Sequence, residues 1–266
     1  MGVGSCVPAI ILIIIGVLFQ HLPALCNTVT FNPTNPPHTT TMPTDVTFKE
    51  GYATFPVPGI EDKPCQTYYQ VIGDLHSGHA PIVALNGGPG ANYQYLLILS
   101  DVTKAKGNAL VVYDQIGIGK STHYREKAGD TSFWVDQLFL DQLDNLLVHL
   151  RIQDRYIVIG HSWGGMLASR HAVQQPPGLT HLILMSAPAD MHLWVTAQNG
   201  LRTELPQDVQ DVLTKNEKAG TTDSEEYQAA VAVFNSKFLC RIDPMPDAIA
   251  AGFAAMLADP TVYMTM

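Results

Sequence analysis

Two glycine-rich segments carry residue types and spacings that suit acyl-transfer chemistry. Residues 160–164 read Gly-His-Ser-Trp-Gly, and residues 86–90 read Asn-Gly-Gly-Pro-Gly. In a G-x-S-x-G pattern the serine occupies a sharp strand-to-helix turn, and the flanking glycines let the neighbouring backbone approach without a Cβ clash. Ser162 is therefore the candidate nucleophile.

The upstream loop is a candidate oxyanion hole, the set of N–H donors that stabilises negative charge on an attacked carbonyl oxygen. We predict that the N–H groups of Gly88 and Trp163 are the two donors and that Asn86 contacts the substrate. Such a donor typically lowers the barrier by about 3–4 kcal/mol. Taken alone, the loop also fits an ordinary glycine-proline turn.

Strands and a helix are predicted where they would position these loops. Residues 81–85 and 156–159 are short apolar runs, typical of strands buried on both faces. Residues 163–174 favour a helix because they contain helix-forming residues and no internal proline. Open α/β sheets bind ligands at the carboxyl ends of their strands. Since both loops follow such strands, we expect them at one edge of a mostly parallel sheet.

A third strand-and-loop segment spans residues 109–121 and ends in Gly-Lys-Ser. It lacks the phosphate-binding spacing G-x-x-x-x-G-K-[ST], because Asp114 stands where the first glycine would be. We interpret it as another loop at the rim of the same cleft.

Four motifs together resemble the proline-iminopeptidase family of α/β-hydrolases, including its fungal amino-acid-amidase-like members. They are Gly-Gly-Pro-Gly at 87–90, Asp-Gln-x-Gly-x-Gly-x-Ser at 114–121, Gly-His-Ser-Trp-Gly-Gly at 160–165 and Cys-Arg-x-Asp-Pro-x-Pro at 240–246. The resemblance runs from about residue 48 to the end. Asn86 departs from it, because the family's loop usually starts with His, and Ile116 stands at a place often held by Arg. Both differences are expected to retune the pocket without removing the nucleophile.

The resemblance implies an α/β-hydrolase core over residues 48–187 and an incomplete helical cap over residues 188–266. It implies a serine hydrolase that cleaves an N-terminal aminoacyl, proline-type amide or peptide bond by acyl transfer through Ser162, without metal or cofactor. The expected partner is a small peptide or aminoacyl amide. An esterase or lipase with the same serine motif is the enzymatic alternative.

The resemblance also implies an acid and a histidine on later strands, and no residue of this sequence suits that role. Asp190 follows the predicted sixth strand, 182–186, where some α/β-hydrolases carry their acid, but it has no histidine to orient. We therefore expect the final two strands and the closing helix to be missing. A truncated, non-catalytic fragment or pseudoenzyme is the alternative to an active enzyme.

The histidines near or after the candidate nucleophile have simpler interpretations than that of a base. His161 is expected to be a packing residue that points away from Ser162, and His171 a solvated helix residue. The later histidines are His181 and His192.

Proline and glycine predict three cap helices, over 206–220, from 222 or 223 to about 239, and over 246–260. The resemblance implies that an acidic cap residue holds the substrate's free α-amino group, and Glu226 lies in a similar region. The alternative is a helix cap, because Asp223 and Glu226 have the spacing of a capping box, as do Thr222 and Glu225.

Composition limits the remaining function classes. A chain of 266 residues with 46% hydrophobic content can form one large domain, and a net charge of −9 argues against a nucleic-acid partner.

The N-terminal segment predicts secretion. Residues 1–26 resemble a signal peptide, with an apolar stretch from 7 to 19 and small residues before a cut after Cys26, although no Lys or Arg precedes the stretch. An uncleaved signal anchor is the alternative; a cleaved signal predicts no stable membrane association. Residues 27–47 form a Thr/Pro-rich linker.

Cys65 and Cys240 are the two cysteines that remain after removal of such a signal. An oxidising compartment permits one disulfide between them, and two free buried thiols are the alternative.

Overall fold

The computed structural model describes residues 47–266. The predicted signal segment, 1–26, and the linker up to residue 46 lie outside these residues. Within residues 47–266, no helix has both the length and the apolar character needed to cross a bilayer.

A six-stranded, mostly parallel sheet forms the centre of the fold, in the order β1-β2-β4-β3-β5-β6. The strands β1 and β2 form an antiparallel hairpin whose second strand pairs antiparallel with β4, and the other three pairings are parallel. The strands are β1 (Phe48–Val57), β2 (Ile60–Ile72), β3 (Ile82–Leu85), β4 (Leu110–Tyr113), β5 (Tyr156–His161) and β6 (Leu179–Met185).

Eight α-helices accompany the sheet within the described residues. They are α1 (Ser100–Lys106), α2 (Asp136–His149), α3 (Trp163–Val173), α4 (Met191–Arg202), α5 (Gln207–Ala219), α6 (Glu225–Phe238), α7 (Asp247–Ala258) and α8 (Thr261–Thr265). A 3-10 helix, Gln94–Leu99, precedes α1, and a shorter one is Arg125–Lys127.

The central strands are apolar throughout because packed layers cover both of their faces. Side chains alternate along a strand, so Val83 and Leu85 join the layer built with α2 and α3, while Ile82 and Ala84 join the layer that includes the 3-10 helix Gln94–Leu99. This arrangement confirms the predicted α/β-hydrolase fold class with its mostly parallel sheet.

The sixth strand starts three residues before the predicted 182–186. The added residues include two polar ones that an edge strand accommodates, because Thr180 Oγ1 donates to Tyr156 O at 2.8 Å and His181 is exposed. The strand forms an edge of the sheet, and its apolar residues Ile183 and Leu184 are 44% and 49% exposed.

Local signals located two of the three predicted cap helices correctly and misplaced the start of the third. Pro206 and Gly220 bracket α5, and Pro246 precedes α7, as predicted. The helix α6 is capped by Ser224 rather than by residue 222 or 223, because Ser224 Oγ accepts from the N–H of Tyr227 at 3.2 Å. The capping-box interpretation is therefore wrong.

The first cap helix, α4, was not predicted. Its N-cap is Asp190, whose Oδ1 accepts from the N–H of Leu193 at 2.9 Å. This bond gives Asp190 a structural role, as a helix cap. The boundary between core and cap at 187/188 stays a prediction; β6 ends at Met185 and α4 begins at Met191.

Cys65 and Cys240 are both free, so the disulfide alternative is wrong; the alternative of two free buried thiols is right about the thiols being free and about the burial of Cys65. Cys65 is buried and Cys240 half-buried; burial raises the pKa of the Cys65 thiol to about 11.

Candidate active site

Ser162 lies at the junction of β5 and α3 in a conformation that few non-glycine residues adopt. Its φ is 54° and its ψ is −120°, and the residue is 3% exposed. Its N–H donates to Met185 O at 2.9 Å, and its carbonyl accepts from Gly165 N at 2.9 Å. The strained serine is therefore held between β6 and the first turn of α3.

The glycines around Ser162 are required by close backbone approach. A Cβ on Gly164 would lie 2.2 Å from Leu85 O, and one on Gly160 would lie 2.3 Å from Gly164 O. Any side chain at either place would push β3, β5 and α3 apart. The physical reason for the G-x-S-x-G pattern is thus visible in this chain.

The glycine-rich loop after β3 lies directly against the serine. A Cβ on Gly87 would be 3.1 Å from Ser162 Cβ. Gly88 has a φ of 123°, and a Cβ there would be 2.4 Å from Gly90 N. The Gly88–Pro89 peptide bond is cis. The sheet therefore brings together the two segments that the sequence separates by about 70 residues.

Near Ser162, the N–H groups of Gly88 and Trp163 are among the backbone donors that have no hydrogen-bond acceptor within residues 47–266. The N–H of Gly87 differs, because it donates to Tyr95 Oη at 2.6 Å. Trp163 is the first residue of α3, where N–H groups lack partners within the helix and the helix dipole favours negative charge. These two unpaired donors are the ones that the sequence singled out.

Asn86 is fully buried and closes its own loop. Its Nδ2 donates to Ala91 O, and its Oδ1 has no partner among the residues that the structure describes. The predicted contact between Asn86 and a substrate stays a prediction.

Gln115 connects the loop to the segment around the serine, a role that the sequence did not reveal. Its Nε2 donates to Asn86 O at 3.3 Å, and its Oε1 accepts from Trp163 Nε1 at 3.3 Å. The side chain is fully buried. Its place directly after the β4 strand, in the Asp-Gln motif, was the available signal.

Asp114 organises the rim loop that follows β4. Its carboxylate accepts from the N–H groups of Lys120 at 2.8 Å and Tyr93 at 3.2 Å. Burial raises its pKa to about 6 despite these hydrogen bonds. A Cβ on Gly119 would collide with this carboxylate, which explains the glycine there.

His161 packs against the ring of Tyr95, as the packing interpretation predicted, and it also forms a hydrogen bond. The ring centroids are 5.3 Å apart, and His161 Nδ1 lies 2.9 Å from Tyr95 Oη. Burial lowers the pKa of His161 to about 4, so the ring is neutral at physiological pH.

His171 is not a solvated helix residue, so that expectation is wrong. It is 1% exposed, because α3 turns this face toward β5, and its Nε2 lies 2.7 Å from Tyr156 Oη. Its Nδ1 lies 3.7 Å from Asp144 Oδ1. His181 and His192 are exposed. Within residues 47–266, no histidine forms a hydrogen bond with Ser162.

Glu226 is exposed on α6 and bound to α5. Its carboxylate accepts from Lys215 Nζ at 2.9 Å and from Asn216 Nδ2 at 3.3 Å. The hydrogen bond from Lys215, followed by that from Asn216, lowers the pKa of Glu226. Contact with a substrate ammonium stays a prediction for this residue.

The last two helices lie over the glycine-rich loop. A Cβ on Gly90 would be 3.3 Å from both Met256 Cγ of α7 and Tyr263 Cβ of α8. Val262 of α8 is fully buried and joins the main core.

Asp259 anchors the segment between α7 and α8. His123 Nδ1 is 2.5 Å and Arg125 Nε 3.0 Å from its Oδ2, and Thr261 N is 3.2 Å from its Oδ1. Burial alone would raise the pKa of this carboxyl, but hydrogen bonds from Thr261, His123 and Arg125 hold it well below its usual range.

The described residues include no group of three or more His, Cys, Asp or Glu side chains placed to hold a metal ion.

Comparison with known proteins identifies the family. Residues 80–258 match the family described as alpha/beta hydrolase fold. This chain belongs to the α/β-hydrolase family. It is 35% identical over 174 residues to a proline iminopeptidase of Heyndrickxia coagulans, covering 65% of this chain and 58% of that protein. It is 36% identical over 187 residues to a proline iminopeptidase of Clostridium botulinum, covering 70% of this chain and 59% of that protein.

Two crystal structures resemble this member of the family. VinJ aligns with a TM-score of 0.75 and 47% identity, over 81% of this chain and 70% of the VinJ chain. The proline iminopeptidase of Mycobacterium smegmatis aligns with a TM-score of 0.69 and 36% identity, over 80% of this chain and 69% of that chain. The resemblance to proline-iminopeptidase-like α/β hydrolases that the motifs indicated is thus confirmed. The chain spans about three fifths of the length of the curated relatives named above.

Proposed function

We propose that this chain carries the nucleophile and oxyanion hole of a serine hydrolase that cleaves N-terminal aminoacyl, proline-type amide or peptide bonds. The observation that carries the proposal is the contact between the strained Ser162 and the loop containing Gly87 and Gly88. Two unpaired N–H donors beside a serine at a strand–helix junction suit attack on a carbonyl and little else.

The proposed chemistry is acyl transfer. Ser162 Oγ attacks the carbonyl carbon while its proton passes to a base, and the N–H groups of Gly88 and Trp163 stabilise the oxyanion of the tetrahedral intermediate. The leaving amine then departs with a proton, and water releases the acid from the acyl-enzyme. Gln115 supports this geometry, because its single side chain bonds both Asn86 O and the Trp163 indole.

No histidine within residues 47–266 forms a hydrogen bond with Ser162. His161 Nδ1 is engaged by Tyr95, and His171 by Tyr156 on the buried side of α3. A serine without a general base is a weak nucleophile, and losing a triad member costs on the order of 10⁴–10⁶ in rate. We therefore expect slow acylation of Ser162 in this 266-residue chain.

The substrate class rests on similarity. Proteins named proline iminopeptidase match this chain at 35% and 36% identity. For the substrate's α-ammonium we propose Glu226, whose exposed carboxylate is held by Lys215 at 2.9 Å.

A fluorophosphonate probe tests the nucleophile. We expect it to modify Ser162 over hours and to leave Ser162→Ala unmodified, while Ser236→Ala, which alters a serine on α6, labels like the wild type. Labelling that survives in Ser162→Ala would reject the assignment.

Aminoacyl anilides test the substrate class. In a form of the enzyme that supplies a general base, prolyl- or alanyl-anilide should be hydrolysed with a higher kcat/KM than the N-acetyl analogue, because blocking the amine removes the partner of a carboxylate. Glu226→Gln should lose this preference, and Glu225→Gln, one residue earlier on the same helix, should keep it. Equal rates on free and blocked substrates would favour an esterase, and no turnover by any variant would favour a non-catalytic fragment.

A further inference from the structure

The hydroxyl of Tyr95 joins the glycine-rich loop to the segment that carries the serine. It accepts from the N–H of Gly87 at 2.6 Å and lies 2.9 Å from His161 Nδ1. Tyr95 sits in the 3-10 helix Gln94–Leu99, eight residues after Gly87, while His161 directly precedes Ser162. One side chain therefore contacts the loop on one side of the candidate site and β5 on the other.

The direction of the protons in this chain of groups follows from the donors. A backbone N–H can only donate, so Tyr95 Oη is an acceptor toward Gly87 and has its own hydrogen left for one further partner. Among the described residues its other hydrogen-bond partner is His161 Nδ1, so we assign the hydroxyl hydrogen to this contact, and Nδ1 is then the unprotonated ring nitrogen. A neutral imidazole with an unprotonated Nδ1 carries its hydrogen on Nε2.

Burial reinforces this assignment. It lowers the pKa of His161 to about 4 and raises the pKa of the Tyr95 hydroxyl, so both groups are neutral near pH 7.

We propose that Tyr95 is a positioning residue: its hydroxyl fixes the Asn86–Gly87 peptide and the Nε2–H tautomer of His161, and so leaves the N–H of Gly88 as the free donor beside Ser162. The proposed hydrogen-bond arrangement of Tyr95, Gly87 and His161 is independent of the function. Its consequence for the reactivity of Ser162 rests on the function proposed above.

The loop needs such a restraint because glycine adopts many backbone conformations. Gly88 has a φ of 123°, which other residues rarely adopt, and its N–H direction depends on the peptide before it. Asn86 holds the loop through Ala91 O, and Tyr95 holds it through Gly87 N. Without the Tyr95 hydroxyl, the Gly87 amide loses its acceptor and the loop loses one of these two restraints.

Tyr95→Phe removes the hydroxyl and keeps the ring, and Tyr93→Phe is the matched control. Tyr93 is buried and two residues away from the half-buried Tyr95, but its hydroxyl accepts from Gln70 Nε2 at 2.8 Å. Thermal unfolding of both variants shows whether each folds. The probes are ¹⁵N NMR of the histidine side chains and amide hydrogen exchange, both on the full chain.

The wild type and Tyr93→Phe should show His161 as the Nε2–H tautomer and a protected Gly87 amide. Tyr95→Phe should show a rise in the Nδ1–H form and exchange of the Gly87 amide faster by on the order of 10-fold. A wild-type His161 protonated on Nδ1, or a tautomer and exchange rate unchanged in Tyr95→Phe, would overturn the proposal.

Reactivity provides the second readout. Fluorophosphonate labelling of Ser162 should slow by about 10-fold in Tyr95→Phe. Removing an oxyanion-hole donor typically lowers the rate by about 10²–10³-fold, and a Gly88 N–H that is only misdirected should cost less. In Tyr93→Phe it should stay within about twofold. Equal labelling of the wild type and Tyr95→Phe refutes the positioning role. A wild type that never labels at Ser162 contradicts the proposed function instead, and the NMR result alone then decides the role of Tyr95.

Discussion

Replacing Gly164 by alanine tests whether close backbone approach at the serine turn is a requirement of the fold. The new Cβ would lie 2.2 Å from Leu85 O and 2.7 Å from Asn86 O. Both are backbone atoms, so relief requires β3 and α3 to separate by roughly 1 Å, in a place where both elements are buried. Gly200→Ala is the matched control, because Gly200 is also helical and nothing lies within 4 Å of its added Cβ.

The two substitutions should change the free energy of unfolding in opposite directions. Alanine is favoured over glycine inside a helix by about 1 kcal/mol, so Gly200→Ala should raise the free energy of unfolding by about 0.5–1 kcal/mol. At Gly164 overpacking opposes that gain, and overpacked cores typically lose about 1–3 kcal/mol, more where backbone must move. We expect Gly164→Ala to lower the free energy of unfolding by about 2 kcal/mol or more.

Urea denaturation followed by circular dichroism measures both changes, and calorimetry provides a check. For a domain of this size about 1 kcal/mol shifts Tm by roughly 2–4 °C. The two variants should therefore differ by about 6 °C or more. Stabilities of Gly164→Ala and Gly200→Ala that agree within about 0.5 kcal/mol would show that the turn accommodates a side chain, and the steric argument would fail.

Three further predictions concern the cap, the pH dependence of stability and the N-terminus. Ser224→Ala should cost about 1 kcal/mol in urea denaturation because it removes the N-cap of α6, whereas Ser236→Ala in the same helix should change stability by less than about 0.5 kcal/mol; equal effects would contradict the cap assignment. Asp259 has a pKa below its unfolded value, so its contribution is complete above about pH 4 and declines as the pH falls further. Asp259→Asn should therefore destabilise the protein at pH 7 and differ progressively less from wild type below pH 4, as followed by thermal unfolding between pH 7 and 2; a constant difference would refute the linkage. N-terminal sequencing after expression in a eukaryotic host should find a mature chain that begins near Asn27 in the medium, and an intact Met1 in a membrane pellet would favour the signal anchor.

Sequence alone was sufficient where one residue type has one local consequence. The glycines at 160 and 164 predicted a turn that admits no side chain, and the structure shows backbone atoms 2.2–2.3 Å from where a Cβ would be. Pro206 and Gly220 predicted the ends of α5, because proline suits a helix start and glycine adopts the left-handed conformation after its end. These signals act within a few residues, so a linear pattern contains them.

Local signals failed where several residues compete for the same role. Residues 222, 223 and 224 are all acceptable N-caps, and in the structure Ser224 Oγ accepts from the N–H of Tyr227. The helix α4 begins with an ordinary Asp cap that resembled a candidate catalytic acid in sequence. The choice among such alternatives depends on how α4, α5 and α6 pack.

Tertiary structure decided the contacts that join distant parts of the chain. Gln115 bonds Asn86 and Trp163, 29 and 48 residues away, and Tyr95 meets His161 across 66 residues. His171 is buried because it lies on the face of α3 that turns toward β5. Its helical spacing from Ser162 did not reveal this burial. The linear sequence determined which residues could form a strained serine turn beside a glycine-rich loop. The pairing of β3 with β5 decided which groups surround that turn, because parallel neighbours bring their carboxyl ends together wherever they lie in the chain.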